Sequence, residues 1–511
     1  MNILLSRVGF ETISPEMFHL HKLFFEDVTL VEDDSAEAPV DYRWDIRVRD
    51  EEDLIEAAAK LERVGGPAGA WERTSKLTVG TEADGRKRAF RKAVCSAMLQ
   101  TLQDATGIEQ PWGILTGVRP TKLMHNLLLK HGRAEAKRML MEEYLVTERK
   151  AELLTDIAER QLKVIPDLFA LDREVSIYIG IPFCPTKCAY CTFPAYDIRG
   201  QNGSVAAFLE GLHYEIRETG RWLKQAGLAV TTIYWGGGTP TSIEAHEMDA
   251  LFATIRDSFP DLSLVRELTV EAGRPDTITP EKLDVMRKWG VGRISINPQS
   301  FTQQTLDAIG RHHTVKETVE KFKLAREMGM NNINMDLIIG LPNEGLAELE
   351  LSLAETEKLM PESLTVHTLS FKRASKMTKN RDAYEVAERD EIAEMMARAT
   401  AWTERHGYVP YYLYRQKNIL GNLENIGYAL EGRESLYNIL MMEERQTVIG
   451  LGCGAVSKVV FPVRGGEEGP QRIERFPNPK EPSVYNEAYK QYVDKKLRLL
   501  DEAYGAALSG V

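Results

Sequence analysis

From about residue 172 the chain of 511 residues alternates short apolar, β-rich runs with helical patterns, and this alternation limits the possible folds more than any other feature. The runs are Val175–Ile181, Thr231–Trp235, Glu267–Glu271, Arg293–Asn297, Ile333–Leu337 and Leu364–Leu369. Between them, helical patterns cover Val205–Gln225, Ala245–Phe259, Pro280–Trp289, Val315–Met328 and Leu346–Leu359. Pro280 follows the capping-type Thr279, and proline is tolerated in a first helical turn. Strands separated by helices pair in parallel through right-handed crossovers. Six such units predict an α/β fold, a partial TIM-like (β/α)6 barrel. Sites on such barrels lie on the loops at the C-terminal strand ends.

The flanks have a different pattern. Residues 1–165 predict a separate α+β domain with strand-like Val28–Val31, Tyr42–Val48 and Ala70–Val79. Its helical pieces are Arg86–Gln103, Ala134–Glu143 and Glu148–Lys163. Within it, Trp112–Leu123 reads as a loop, and its Arg119 and Lys122 are either anion ligands or solvated cations of a packed connector. The barrel core is expected over residues 172–375. A family-specific α+β extension over 376–511 follows, led by an amphipathic helix around Tyr384–His406 and continued by aromatic and glycine-rich loops.

Directly after the first barrel run comes Cys184-Pro-Thr-Lys-Cys188-Ala-Tyr-Cys191. Three thiolates on one loop can hold three corners of a [4Fe–4S] cluster. Electron-transfer clusters normally use four protein ligands, so the fourth iron would be open to a ligand. A structural zinc site wants four ligands, and the nearest further candidate, His213, lies in a helical pattern more than twenty residues on. Five cysteines, an odd number in an enzyme-sized chain, do not suggest a disulfide framework. Cys95 and Cys453 read as small packing residues.

The formal charge of −12 argues against general nucleic-acid binding, which needs a basic face. No run of about 18 apolar residues is available to span a membrane. The apolar stretch after Met1 is too short for a signal peptide, so a cytoplasmic location is expected.

The cysteine loop, Tyr234-Trp-Gly-Gly-Gly-Thr-Pro-Thr after the second run, and Asn334-Met-Asp-Leu-Ile-Ile-Gly-Leu-Pro together resemble the radical S-adenosylmethionine (SAM) superfamily. Within it the chain resembles the oxygen-independent coproporphyrinogen III oxidase family, nearest its HemZ-type members. The likeness is strong over about 172–460, and the Gly113-Ile-Leu-Thr-Gly segment extends it into the N-terminal region. It implies a radical SAM barrel whose open iron chelates the methionine part of SAM, and cleavage of SAM to a 5′-deoxyadenosyl radical. It also implies roles for residues. Cys184, Cys188 and Cys191 would ligate the cluster. Tyr178, Tyr190, Gly237, Gly238 and Thr239 would line SAM, and Glu271 would receive its ribose. Gln299, Arg311 and Asp336 match residues that bind a second SAM, and Ser370 and Val456 match shape-defining positions. No separate catalytic side chain is implied, since the radical arises at the cluster and SAM.

Two positions depart from the family pattern. Position 193 is Phe where a further cysteine is usual, and Gly180 stands where the family generally has His. The resemblance implies oxidative decarboxylation of two propionates of coproporphyrinogen III to give protoporphyrinogen IX in haem biosynthesis, with coproporphyrinogen III or another tetrapyrrole as the bound partner. The alternative is a haem-binding chaperone of the same family without porphyrinogen turnover. A reductase or other electron donor is implied as partner, and the chain is compatible with a monomer. Lys372 and Arg373 after the sixth run, and Arg415 and Lys417 beside Tyr411, Tyr412 and Tyr414, are candidates for the propionates. Solvated cations among packing tyrosines are the plain alternative.

Overall fold

In the computed structural model the described residues are 1–511 except 12–14, 26–27, 32–38, 65–68, 81–83, 199, 201–202, 373–374, 382–383, 463–470 and 509–511. The chain forms two compact units, Met1–Asp156 and Ile157–Val511.

The first unit is α+β. Its five-stranded sheet runs Thr29–Val31, Asn2–Val8, Tyr42–Asp50, Leu54–Arg63, Ala70–Thr78. The first three strands pair in parallel and the last three antiparallel. The helix Gly85–Thr106 covers the sheet, and Trp44, Ile46, Leu61, Met98 and Leu99 form the core between them. Asn2–Val8 and Leu54–Arg63 are strands that the sequence reading did not assign. Leu54–Arg63 alternates buried and half-exposed positions along its length, so its Ala, Leu, Glu and Lys residues serve a two-period surface despite their helix propensity. The segment expected to be a loop becomes helical at Pro120, which begins the helix Pro120–His131.

The second unit is built on one eleven-stranded sheet. Its strands are β1 (Glu174–Ile181), β2 (Ala229–Gly237), β3 (Glu267–Glu271), β4 (Arg293–Ser295), β5 (Ile333–Ile339) and β6 (Ser363–Thr368). These six pair in parallel in chain order, as expected for the α/β barrel core. The crossovers include α1 (Val205–Ala226), α2 (Ala245–Ser258), α3 (Pro280–Lys288), α4 (Val315–Glu327) and α5 (Leu346–Leu359). Ser204 caps α1, and Thr279 caps α3 ahead of Pro280.

The region expected to be loops after the amphipathic helix continues the same sheet. That helix is α6 (Arg389–Arg405). Beyond it, β7 (Val409–Tyr414) and β8 (Asn425–Ala429) add antiparallel outside β6. At the other edge β9 (Thr447–Gly452) pairs in parallel with β1, and β10 (Val456–Val460) and β11 (Ile473–Pro477) follow antiparallel.

A helix between these strands, α7 (Leu436–Glu443), packs against both β2 and β7. Glu267, the first residue of β3, accepts from the backbone N–H groups of Leu436 and Tyr437 and from Ser435 Oγ. A carboxylate at a helix N-terminus satisfies otherwise unpaired N–H groups and complements the helix dipole. The bond therefore anchors α7 at the N-terminal side of the barrel strands, opposite the loops that carry the site.

The last helix, α8 (Pro482–Leu508), is held by a buried ion pair between Lys496 and Glu215 of α1. Tyr485 Oη (2.7 Å), Asn478 Nδ2 (2.8 Å) and the Gly452 N–H (2.7 Å) also donate to Glu215, so its buried charge is fully partnered.

Candidate active site

The C-terminal ends of the barrel strands surround one cavity of about 580 Å³. Cys184, Cys188 and Cys191 all line it. Their loop leaves β1 and is fastened from several sides. The Ala189 N–H donates to Ile309 O (2.9 Å), Thr186 Oγ1 to Gly310 O (3.1 Å), and the Met377 N–H to Ala189 O (3.0 Å). Arg274, buried after β3 and paired bidentately with Asp276, donates to Thr186 Oγ1 at 3.0 Å. Burial pushes the Cys184 thiol up to about 11 and also raises that of Cys191. Without a metal these are neutral thiols, and a metal group binds by displacing their protons.

The glycine segment after β2 crosses this loop closely. The Gly238 N–H donates to Ile181 O and the Thr239 N–H to Phe183 O, both at 2.8 Å. A Cβ on Gly238 would stand 2.6 Å from Phe183 O and 3.1 Å from Cys184 Sγ, so only glycine permits the crossing. Thr239 Oγ1 lies 3.3 Å from Cys184 Sγ. Arg311 Nη1 lies 3.9 Å from Cys188 Sγ, while Nη2 is tied to the carbonyls of Gly273 (2.7 Å) and Asn297 (2.6 Å). Polar hydrogens beside ligand sulfurs are one of the means by which a protein tunes an iron–sulfur centre.

Tyr178 and Tyr234, one on each of the first two strands, stack with Tyr437 of α7; the Tyr234 and Tyr437 centroids are 4.2 Å apart. Tyr234 Oη donates to Glu271. Burial raises the Glu271 carboxyl to about 7, with Tyr234 opposing and the Asp336 charge adding to the rise. Burial pushes Asp336 the same way, but hydrogen bonds and the charge of His367, helped by Asn334 and Thr365, win and hold its carboxyl below the usual value.

Gln299 has a left-handed backbone (φ 67°), uncommon for a side chain of its type. Its N–H donates to Asp336 O and its own O accepts from the Ile338 N–H, both at 2.9 Å, so β5 holds that conformation. Strained residues that their surroundings over-determine concentrate at functional sites.

The residues singled out from sequence distribute as follows. Tyr178, Tyr190, Gly237, Gly238, Thr239, Glu271, Gln299, Arg311, Asp336, Ser370 and Val456 all line the cavity with the three cysteines, as does Lys372. Arg415 does not line it; it is buried and donates to Asn422 Oδ1. Lys417 is exposed, and its carbonyl accepts from Ser370 Oγ at 2.8 Å. Arg373 lies outside the described residues. Phe193 lines the cavity and is 56 % exposed. At Gly180 a Cβ would meet Cys453 O at 3.2 Å and the Ala455 side chain at 3.3 Å, so β9 and the turn after it leave little room for a side chain. Cys453 also lines the cavity, with its thiol donating to Pro479 O (3.2 Å). Tyr412 and Tyr414 of the tyrosine run line the cavity, and Arg274, Tyr437 and His367 belong to the site without having been singled out from sequence. Arg274 follows a strand end and was open to detection on that ground; the other two become recognisable only once the C-terminal strands join the sheet.

Among the described residues no three His, Cys, Asp or Glu side chains converge as ligands of a single ion. A cubane attaches each thiolate to a different iron, so its ligands need not converge on one point. Three thiols around one cavity, the glycine crossing and three buried polar atoms without partners among the described residues (Arg311 Nε, Gln299 Oε1 and Asn297 Oδ1) fit a site made for a polar cofactor on a cluster.

Comparison with known proteins agrees with this geometry. The Radical SAM superfamily model matches residues 178–355. The oxygen-independent coproporphyrinogen-III oxidase-like protein HemZ of Bacillus subtilis is 59 % identical over 422 residues, which is 82 % of this chain and 83 % of that protein. The chain belongs to the radical SAM superfamily, in the oxygen-independent coproporphyrinogen III oxidase family. Family membership implies a [4Fe–4S] cluster and SAM. The heme chaperone HemW of B. subtilis is 34 % identical, over 55 % of this chain and 70 % of its own length. The structure of coproporphyrinogen III oxidase HemN from Escherichia coli shares the fold with a TM-score of 0.51. It has 21 % identity and covers 66 % of this chain and 73 % of that one. Among the described residues no helix is long and apolar enough to cross a membrane.

Proposed function

We propose that this radical SAM protein is an oxidoreductase that decarboxylates two propionates of coproporphyrinogen III to vinyl groups, giving protoporphyrinogen IX. Each propionate loses a hydrogen atom, CO2 and one electron, so a reductase to prime the cluster and an acceptor for the substrate electron are required partners. The observation that carries the reading is the grouping of Cys184, Cys188 and Cys191 with Gly238, Thr239, Glu271 and Asp336 on one cavity. The names of the coproporphyrinogen oxidase-like relatives support the substrate.

A [4Fe–4S] cluster with SAM supplies reductive cleavage to an organic radical able to take hydrogen from carbon. The chain's own residues do the rest. The three thiolates hold the cluster, and Thr239 and Arg311 stand by their sulfurs. Gly237 and Gly238 let the backbone approach SAM, Glu271 receives its ribose hydroxyls, and Tyr178 and Tyr190 pack against it. Gln299, Arg311 and Asp336 hold a second SAM, with Ser370 and Val456 shaping the wall. Lys372, which lines the cavity, would meet a propionate.

Anaerobic incubation of reconstituted protein with SAM, a reductant and coproporphyrinogen III should yield 5′-deoxyadenosine and protoporphyrinogen IX. Absence of both products with an intact cluster would sink the proposal. The likeness to HemW, together with Phe193 in place of a cysteine, favours one second reading, a haem chaperone. Stoichiometric haem binding without SAM-dependent loss of porphyrinogen would select it.

A further inference from the structure

The cavity wall formed by β5, β6 and β7 carries a chain of polar contacts running from Asp336 to His367 and Tyr414, the last two of which have no role above. Asp336 on β5 pairs in register with Thr365 on β6, so His367, two residues on, projects from the same face of β6 as Thr365. His367 Nε2 lies 3.5 Å from Asp336 Oδ2, and Asn334 Nδ2 donates to Asp336 Oδ1 at 2.8 Å. On its other side, His367 Nδ1 lies 3.2 Å from Tyr414 Oη. Tyr414 is on β7, which is separated from β6 by β8.

A tyrosine can reach across an intervening strand only where that strand is bare. Gly427 of β8 provides this for the neighbouring Tyr412: a Cβ there would stand 1.7 Å from the Tyr412 ring. Tyr412 thus crosses β8 to Thr365 (Oη to Oγ1, 3.4 Å), and the Tyr414 ring lies parallel to that of Tyr412, 5° apart in plane. Tyr414, His367 and Asp336 all line the cavity.

The donors fix a direction. Asp336 is held ionised, so it accepts from His367 and the imidazole carries its hydrogen on Nε2. Nδ1 is then an acceptor, and the Tyr414 hydroxyl, which burial keeps protonated, donates to it. A hydrogen bond on the far ring nitrogen sets the tautomer of the near one.

We propose that His367 is a positioning residue, locked by Tyr414, that holds Asp336 as a fixed anionic acceptor for an N–H-bearing group of the ligand in the cavity. This rests on the cavity being the binding site named above. Two ligands carry such a group: the ammonium of SAM and the pyrrole N–H groups of a tetrapyrrole. The groups facing Asp336 are Glu271 from β3, Tyr234 from β2, Asn334 beside it on β5, Thr365 and His367 from β6, and Tyr412 and Tyr414 from β7. Of these, His367 is the largest counterweight to burial, through its Nε2 beside Asp336 Oδ2. Without it, only the hydrogen bonds of Asn334 and Thr365 oppose burial, and Asp336 takes up a proton at higher pH.

The test measures equilibrium binding of SAM and, separately, of coproporphyrinogen III to the anaerobic, cluster-loaded chain between about pH 6 and 8.5, without turnover. Asp336→Asn should weaken one of the two ligands, which identifies the source of the N–H group. His367→Phe should weaken the same ligand by roughly tenfold, the loss of one charge-assisted hydrogen bond, with the deficit growing as pH falls. His367→Gln, which still offers an N–H donor, should recover much of it. The Asp336→Asn, His367→Phe double variant should be no worse than Asp336→Asn alone. Cluster absorption and melting temperature establish that each variant is folded. Affinities within twofold of wild type for His367→Phe across the pH range would overturn the inference, as would losses that multiply in the double variant, or an Asp336→Asn variant that weakens neither ligand. Because binding is read without product formation, a chain that binds as described yet yields no protoporphyrinogen refutes the proposed reaction and leaves this inference standing.

Discussion

Glu271→Gln is the substitution whose outcome the structure defines most closely. The Glu271 carboxyl sits in the cavity wall at the end of β3, where burial is the main cause lifting it from 4.5 to about 7. A rise of that size corresponds to about 3 kcal/mol between the two protonation states. Water in the cavity screens part of this, so roughly 2 kcal/mol is the working figure. The folded chain holds this proton more tightly than the unfolded chain does. The stabilisation is therefore complete below about pH 4.5 and is lost as pH rises through about 7. Glutamine is nearly isosteric, stays neutral and keeps an oxygen for the Tyr234 hydroxyl. Melting temperatures of both proteins, followed through the transition of the Ile157–Val511 unit from about pH 5.5 to 8.5, isolate this one group because the remaining titrations cancel. The variant should gain on wild type as pH rises, by roughly 1–2 °C over this range, since part of the loss already lies below about pH 5.5. A gap that stays constant or closes with rising pH would refute the reasoning, because the carboxyl would then not be desolvated. If Glu271 receives the ribose of SAM as an anion, wild-type affinity for SAM should also climb through the same window and be flat in the variant.

Replacing any one of Cys184, Cys188 or Cys191 with Ala should abolish cluster assembly, read as loss of visible absorption and of SAM cleavage, with the fold retained. Cys95→Ala and Cys453→Ala should keep the cluster, and iron loss in Cys453→Ala as complete as in Cys188→Ala would overturn the three-ligand assignment. Gly238→Ala should displace the Cys184 loop, since its Cβ meets Phe183 O at 2.6 Å; iron content and SAM binding should fall together while the circular dichroism spectrum is unchanged. Lys496→Met leaves Glu215 as an uncompensated buried charge and should cost about 3–5 kcal/mol, with α8 becoming sensitive to limited proteolysis at pH 7. Protection of α8 equal to wild type would show that the pair contributes nothing to docking.

The sequence by itself determined the parallel core and most of the site. Six β-rich runs spaced by helical periods leave parallel crossovers as the only compact arrangement, and strand ends then bring Cys184, Gly238, Glu271, Gln299 and Asp336 to one rim. Their placement was legible because each lies within a few positions of a strand whose direction the local pattern already sets, while their roles came from the family resemblance. Tertiary structure alone decided the parts that depend on which strand finds which edge. Leu54–Arg63 carries helix-forming residues yet lies between two strands, where neighbours on both sides override propensity. The glycine- and aromatic-rich segments after α6 have no strong period, and they become strands because β6 and β1 offer them unpaired edges. That pairing puts Tyr414 within reach of His367 and lets α7 set Tyr437 on Tyr234, contacts that separate residues far apart in the chain and leave no local trace. It also carries Arg415 into the interior beside Asn422, away from the cavity, so a cation read as a substrate ligand packs in the protein instead. Local pattern reports which face of an element is buried; only the assembled sheet decides what that face is buried against.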